Sequence, residues 1–311
     1  MSTIQIVSPG MFTTVQDLGR YGYGPIGVSP SGAADPIALR VGNLLVGNIE
    51  SAAALEMTLL GGMFFFPEGA TIALAGSDFG ATIDGVPVSL WTACELHAGA
   101  MLRMGGARVG ARCYLCVRGG IVVKPLLGSA STHILTGLGG FEGRPLRKGD
   151  VLQIGEASGR PRRIVAEEFV KLAPRKVLRA TDGPQTEWFS RESLKTFFSG
   201  VYKVTDESNR MGLRLDGPAL ETPHSGQMIS EGVSLGAIQV PAGGKPIILF
   251  VEQQTTGGYP KIANIISADL PSVGQLRPRD EIRFEHVSPE TARAAIREQE
   301  ELLISGALFA D

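Results

Sequence analysis

Short apolar runs broken by turn residues set the pattern of this chain. From Ala54 they read LEMTLL, MFFF, TIALAG, ATIDGVPVSL, AMLRM, RCYLCV and VLQI at 151–154. Such closely spaced strands predict a barrel or sandwich and exclude alternating β and α units. A first strand is expected over Ile4–Val7, closed by Pro9-Gly10. The stretch 13–35, TTVQDLGRYGYGPIGVSPSGAAD, carries glycines at 19, 22, 24, 27 and 32, which exclude a regular helix or strand. Its interleaved Val15, Leu18, Tyr21, Tyr23, Ile26 and Val28 argue for an ordered, functional loop. Asp35 as N-cap and Pro36 at the first position then open a helix that Gly47 ends. The polar span 155–175 reads as a linker, a second β-rich series starts at Val177, and Ser288 caps a terminal helix over 289–303.

The two series resemble each other. IQIVSPGMFTTV sits beside VLRATDGPQTEW, LEMTLLGG beside LRLDGP, AGSDFGATIDGVPVSL beside SEGVSLGAIQVPAGGKPIIL, YLCVRGG beside ILFVEQQ, and PLRKGDVLQI beside QLRPRDEIRF. The order is kept and the intervals differ by a few residues, which points to an internal duplication. The expected organisation is mainly β: a first domain over 1–155 with the glycine-rich loop and its helix, a linker over 156–176, and a second domain over 177–311 with a terminal helix. The loops after VRGG and after VEQQ should be equivalent, and a shared cleft would be the natural ligand site.

The most unusual stretch is 247–261, IILFVEQQTTGGYPK, where a buried-strand run turns polar within one residue. Two glycines permit positive φ or close approach, while the amides and hydroxyls supply neutral donors and acceptors. Either this is the floor of a site for a small polar ligand, or it is a glycine-rich hairpin turn.

Composition narrows the partners. Among 311 residues, 29 Lys and Arg against 31 Asp and Glu leave a net charge of −2, too little field to recruit nucleic acid or an anionic membrane. No apolar run approaches the roughly 20 residues of a membrane span, and the N-terminus lacks a signal-like pattern, so a cytoplasmic location is expected. Cys113 and Cys116 form a C-x-x-C on opposite faces of an apolar strand with no second pair; core packing is expected, with Cys94 also unpaired. His97, His133, His224 and His286 are scattered, and no metal is expected.

With TTVQDLGRYGYGPIGVSPSGAAD, LEMTLLGG, VRGGIVVKPLLGSAST, GRPLRKGD, SNRMGLRLDG, GAIQVPAGGKPIIL, QTTGGYPKIA and ADLPSVGQLRP in one order over about 4–287, the sequence resembles the biotin-dependent carboxyltransferase-like family. That family includes the C subunit of bacterial 5-oxoprolinase, the second allophanate-hydrolase-type subunit and the carboxyltransferase part of urea carboxylase. The resemblance implies paired cyclophilin-like β-barrels, a B-type partner subunit and, in 5-oxoprolinase, an A-type subunit with which ATP drives opening of the 5-oxoproline lactam to glutamate. Two alternatives come with it: a carboxyltransferase subunit served by biotin on a partner, since no A-M-K-M carrier motif occurs here, and a non-catalytic antagonist that binds a kinase inhibitor. The chain departs from the family at Asn209, generally Asp, and at Arg279, often a turn glycine.

The resemblance also directs the choice of site residues. Activating a lactam needs positioned cations and donors, and Arg20, Arg118, Arg144, Arg210 and Arg214 lie in the shared motifs. No G-x-x-x-x-G-K-[ST] occurs, so ATP is expected to bind by another geometry or on a partner. Asp17, Asp35, Glu56 and Asp150 are acid or base candidates, with Asp35 better read as a helix cap. The expected catalytic set is Asp17, Arg20, Arg210 and Tyr259. The expected substrate-binding set is Gln16, Arg118, Ser129, Ser131, Thr132, Arg144, Arg214, Gln254, Thr255, Thr256, Gly257 and Gly258. The hydroxyl-bearing residues equally suit turn formation.

Overall fold

The computed structural model describes residues 2–157, 159–222 and 228–310. It contains two compact units: Met1–Arg20, Ser31–Leu172 and Leu302–Asp311 form the first, and Tyr21–Pro30 with Ala173–Glu301 the second. This division departs from the expected 1–155, 156–176 and 177–311. Residues up to Leu172 of the expected linker belong to the first unit because Ile164, Phe169 and Leu172, apolar positions in a polar stretch, pack against its helix-side core. His224 lies outside the described residues.

The strands of the first unit are β1 (Thr3–Ser8), β2 (Thr13–Gln16), β3 (Ala54–Thr58), β4 (Met63–Phe66), β5 (Ala70–Gly76), β6 (Thr82–Ile83), β7 (Val86–Pro87), β8 (Ala93–Leu96), β9 (Ala100–Arg103), β10 (Arg112–Val117), β11 (Ile121–Val122) and β12 (Val151–Ile154). They form a seven-stranded sheet in the order β11-β12-β1-β4-β9-β6-β7 and a five-stranded sheet in the order β2-β3-β10-β5-β8. A further strand, β13 (Arg163–Ile164), pairs with Phe309–Ala310. One face of each sheet meets in a core containing Ile4, Ile6, Phe64, Phe66, Leu55, Leu74 and Leu115.

Strand β10 is buried throughout because both of its faces are covered. Cys113, Leu115 and Val117 enter the core between the sheets, while Tyr114 and Cys116 pack against the helix Pro36–Leu45. The C-x-x-C is therefore divided between two cores, and burial pushes both thiols above their ordinary range. Asp35 caps that helix, its carboxylate accepting from Ala38 N at 3.0 Å.

In the second unit β14 (Val177–Asp182), β15 (Tyr202–Val204), β16 (Gly212–Asp216), β18 (Ala237–Gln239), β19 (Ile247–Leu249), β21 (Lys261–Ile265) and β22 (Glu281–His286) close into a barrel, in the order β14-β21-β18-β19-β16-β15-β22; β17 (Glu231–Gly232) and β20 (Thr256–Gly257) form a separate ribbon. The neighbour order β2-β3-β10-β5 recurs as β15-β16-β19-β18, antiparallel at every step, as a duplication requires. Three details differ from the repeat alignment. Strand β15 takes the place of β2, which the alignment sets beside the helical turn Thr186–Trp188. Strand β18 takes the place of β5, not that of the β6–β7 hairpin, because glycine-rich hairpins look alike until their pairing partners are known. Strands β1 and β12 pair antiparallel, whereas β14 and β22 run parallel.

The helix Pro289–Ile304 begins as expected, with Ser288 Oγ accepting from Thr291 N at 3.2 Å. Arg279 adopts a left-handed φ of 74°, a conformation that glycine takes without steric cost. Arg279→Gly should therefore raise stability by about 1 kcal/mol, read as an upward shift of the thermal midpoint.

Candidate functional site

In the first unit the structure gathers the expected loop residues into one buried network. Asp17 Oδ1 accepts from Gly19 N at 2.8 Å, Ser129 Oγ at 2.6 Å and Ser131 Oγ at 2.5 Å, and Oδ2 accepts from Ala130 N at 2.6 Å. Gln16 is fully buried and donates to Thr14 Oγ1 and to the Thr132 carbonyl. Thr132 donates to the Val15 carbonyl, and the Arg20 guanidinium donates to the carbonyls of Ser131 and Leu126. Gln16, Asp17, Arg20, Ser129, Ser131 and Thr132 thus come together, with their polar atoms largely directed at one another. Gly139 sits where a Cβ would approach the Arg20 guanidinium to 2.6 Å, at φ 65°, so the network also needs a residue without a side chain there.

The other arginines lie apart from this network. Arg118 donates to the carbonyls of Val46 and Gly159, which anchors the end of the helix. Arg144 holds both oxygens of Asp150, at 2.8 and 3.0 Å, and keeps that carboxyl below its usual range. Glu56 is buried beneath the helix start, accepting from Ala34 N and the Tyr114 hydroxyl. Burial, followed by the Glu56 charge, pushes the Tyr114 phenol well above its ordinary range. In the second unit Arg210 pairs with Glu252 at 2.5 Å, both nearly inaccessible. Arg214 is exposed, 3.7 Å from Glu207. Asn209 Oδ1 accepts from Met211 N, a turn role that either Asn or Asp can fill.

The polar half of 247–261 folds over a cleft of about 700 Å³ within the second unit. Its lining comes from Gly24, Pro25 and Gly27 of the glycine-rich loop, from Pro184, from Gly232 to Ser234, and from Thr255, Thr256 and Lys261. Of the expected residues, Thr255 and Thr256 line it; Gln254 and Tyr259 are exposed and outside the lining. The Gly257 backbone serves close approach and not positive φ, since a Cβ there would come within 2.4 Å of Gln239 Nε2.

Sequence reasoning missed the charged core of this cleft. Lys261 is 1 % exposed yet lines the cleft, and its Nζ lies 2.5 Å from Glu231 Oε1. Gln185 Nε2 donates to the same oxygen at 2.9 Å, and its own Oε1 accepts from Lys261 N. Lys261 first, then Gln185, holds the Glu231 carboxyl below the ordinary range. Opposite Lys261 in strand register, Gln239 is 1 % exposed, and its Nε2 meets no acceptor among the described residues. Leaving such a donor unpaired costs about 1–3 kcal/mol. The available signal was a single lysine opening a strand, KIANI, whose other residues apart from Asn264 are apolar.

Among the described residues no group of three or more His, Cys, Asp or Glu is placed to hold a metal, and no helix is long and apolar enough to cross a membrane. Residues 26–286 match the family described as carboxyltransferase domain, subdomain A and B. The chain is 38 % identical over 304 residues to the C subunit of 5-oxoprolinase from Haemophilus influenzae, covering 97 % of this chain and 96 % of that protein. It is 40 % identical over 299 residues to the protein of the same name from Escherichia coli strain K12, covering 96 % and 95 %. The crystal structure of Kluyveromyces lactis urea carboxylase superposes with a TM-score of 0.91 at 33 % identity, covering 97 % of this chain and 29 % of that one. The fold, the repeated strand order and these matches agree: the chain belongs to the carboxyltransferase family of the subdomain A and B type.

Proposed function

We propose that the chain is the C subunit of an ATP-dependent 5-oxoprolinase, which with B-type and A-type subunits opens the lactam of 5-oxoproline to glutamate. The observation that carries this reading is the match along nearly the whole length of two proteins named as the C subunit of 5-oxoprolinase, at 38 % and 40 % identity. The cleft supports it: its volume is in the range of small-molecule sites, and it offers hydroxyls for a lactam and one ammonium for a carboxylate. A single ammonium does not suit a triphosphate, which needs Mg²⁺ and several cations, so ATP belongs on a partner.

Of the expected catalytic set, Asp17, Arg20 and Arg210 hold the framework through the contacts above, and Tyr259 lies outside the cleft lining. Thr255 and Thr256, of the expected substrate-binding set, face the substrate side. The 0.91 TM-score with urea carboxylase favours, as a second reading, a carboxyltransferase subunit using biotin carried by a partner. The purified complex of this chain with its B-type and A-type partners should hydrolyse ATP in response to 5-oxoproline. Absence of that response rejects the first reading, and transfer that depends on a biotinylated carrier establishes the second.

A further inference from the structure

We infer that Lys261 is the carboxylate-binding residue of the cleft and that Glu231 is its resident stand-in, displaced when a small carboxylate ligand enters. This deepens the 5-oxoprolinase reading and rests on it for the identity of the ligand.

The asymmetry of the pair carries the argument. The Lys261 side chain is 2 % exposed and that of Glu231 is 42 % exposed. A buried ammonium needs a counter-charge, so some carboxylate must occupy the site at all times. Glu231 supplies one from the β17–β20 ribbon, where it lies opposite Gly257, and it retains enough exposure to turn toward solvent. Lysine carries three donors, and Glu231 Oε1, 2.5 Å from Nζ, takes at most one of them; the others meet no acceptor among the described residues. A ligand carboxylate approaching through the cleft would meet those N–H groups directly.

The surroundings repeat this excess of donors. Gln239 Nε2 is buried beside Gly257 and meets no acceptor among the described residues, and Thr255 and Thr256 add to the lining. Gly24, Pro25 and Gly27 contribute to the lining without adding a charge. The ligand class that fits is a compact molecule with one carboxylate beside a neutral amide. A dianion or a cation would leave charge without a partner.

The test is calorimetric titration of the full chain with 5-oxoproline, with 2-pyrrolidinone, which keeps the lactam and lacks the carboxylate, and with acetate. 5-Oxoproline should bind at least roughly tenfold more tightly than 2-pyrrolidinone, as a charge-assisted contact requires. Lys261→Met should remove that difference. Glu231→Gln should tighten 5-oxoproline by roughly three- to tenfold, because it removes the competing carboxylate and the ligand then supplies the counter-charge that the buried ammonium needs. A gain of affinity is a result that misfolding cannot produce, which keeps the test decisive if Lys261→Met folds poorly. Equal affinity for 5-oxoproline and 2-pyrrolidinone, no binding of any of the three, or a loss of affinity in Glu231→Gln overturns the inference. Lys261-dependent binding of acetate as tight as that of 5-oxoproline supports the carboxylate site and removes 5-oxoproline as its ligand.

Discussion

Glu252→Ala should destabilise the second unit by about 3–5 kcal/mol, because it leaves the Arg210 guanidinium buried without its carboxylate. Both side chains are less than a tenth exposed, so water cannot take over the lost contact. The Glu252 backbone N also donates to the Arg210 carbonyl at 2.8 Å, joining the SNRMG turn to the strand end that leads into the cleft-lining stretch. Chemical denaturation should show the loss as a lower midpoint. The double variant Arg210→Met with Glu252→Leu should recover most of it, since apolar residues of similar volume often replace a buried ion pair at little cost. A stable double variant with normal ligand binding would confine Arg210 to the framework. A stable double variant that has lost ATP hydrolysis in the assembled complex would return it to the chemistry.

The second large effect is expected at Asp17. Its carboxylate accepts four hydrogen bonds, two from backbone N–H groups and two from serine hydroxyls, and these join the loop after β2 to the segment 129–131. Charge-assisted bonds of this kind contribute about 1.5–3 kcal/mol each and do not add. Asp17→Ala should cost about 3 kcal/mol and lower the thermal midpoint by roughly 6–12 °C. Asp17→Asn, which keeps an acceptor oxygen, should lose less. If Asp17→Ala melts with the parent chain and yet abolishes activity of the complex, the group acts on substrate and the network reading fails.

Much of the fold was legible along the chain. Strands β1, β4, β10 and β12 fall where the apolar runs place them, and the Asp35 and Ser288 caps start the expected helices, because a strand run or a cap is written in a few adjacent residues. Strand β2 was read as part of a glycine-rich loop, since the glycines that follow Gln16 mask four regular residues before them. The helix Arg191–Ser199 was not anticipated, although Ser190 caps it. The 156–176 linker failed as a category because three apolar side chains among many charges are enough to dock it.

Linear order and spacing were sufficient for the β-rich class, the duplication and the family, because each of these depends on local motifs and their succession. They also singled out the two polar loops. The roles of those loops came from tertiary packing, because hydrogen-bond saturation and burial depend on residues far apart in the chain. Asp17 is satisfied by residues more than a hundred positions away. Lys261 gains its meaning from Glu231, which pairing of β17 with β20 places over it, and from Gln239, which the β18–β21 register sets opposite. A lysine at the head of a mostly apolar strand is ordinary in a linear reading. Closure of the barrel buries it beside a cleft, and a buried ammonium must have an anion.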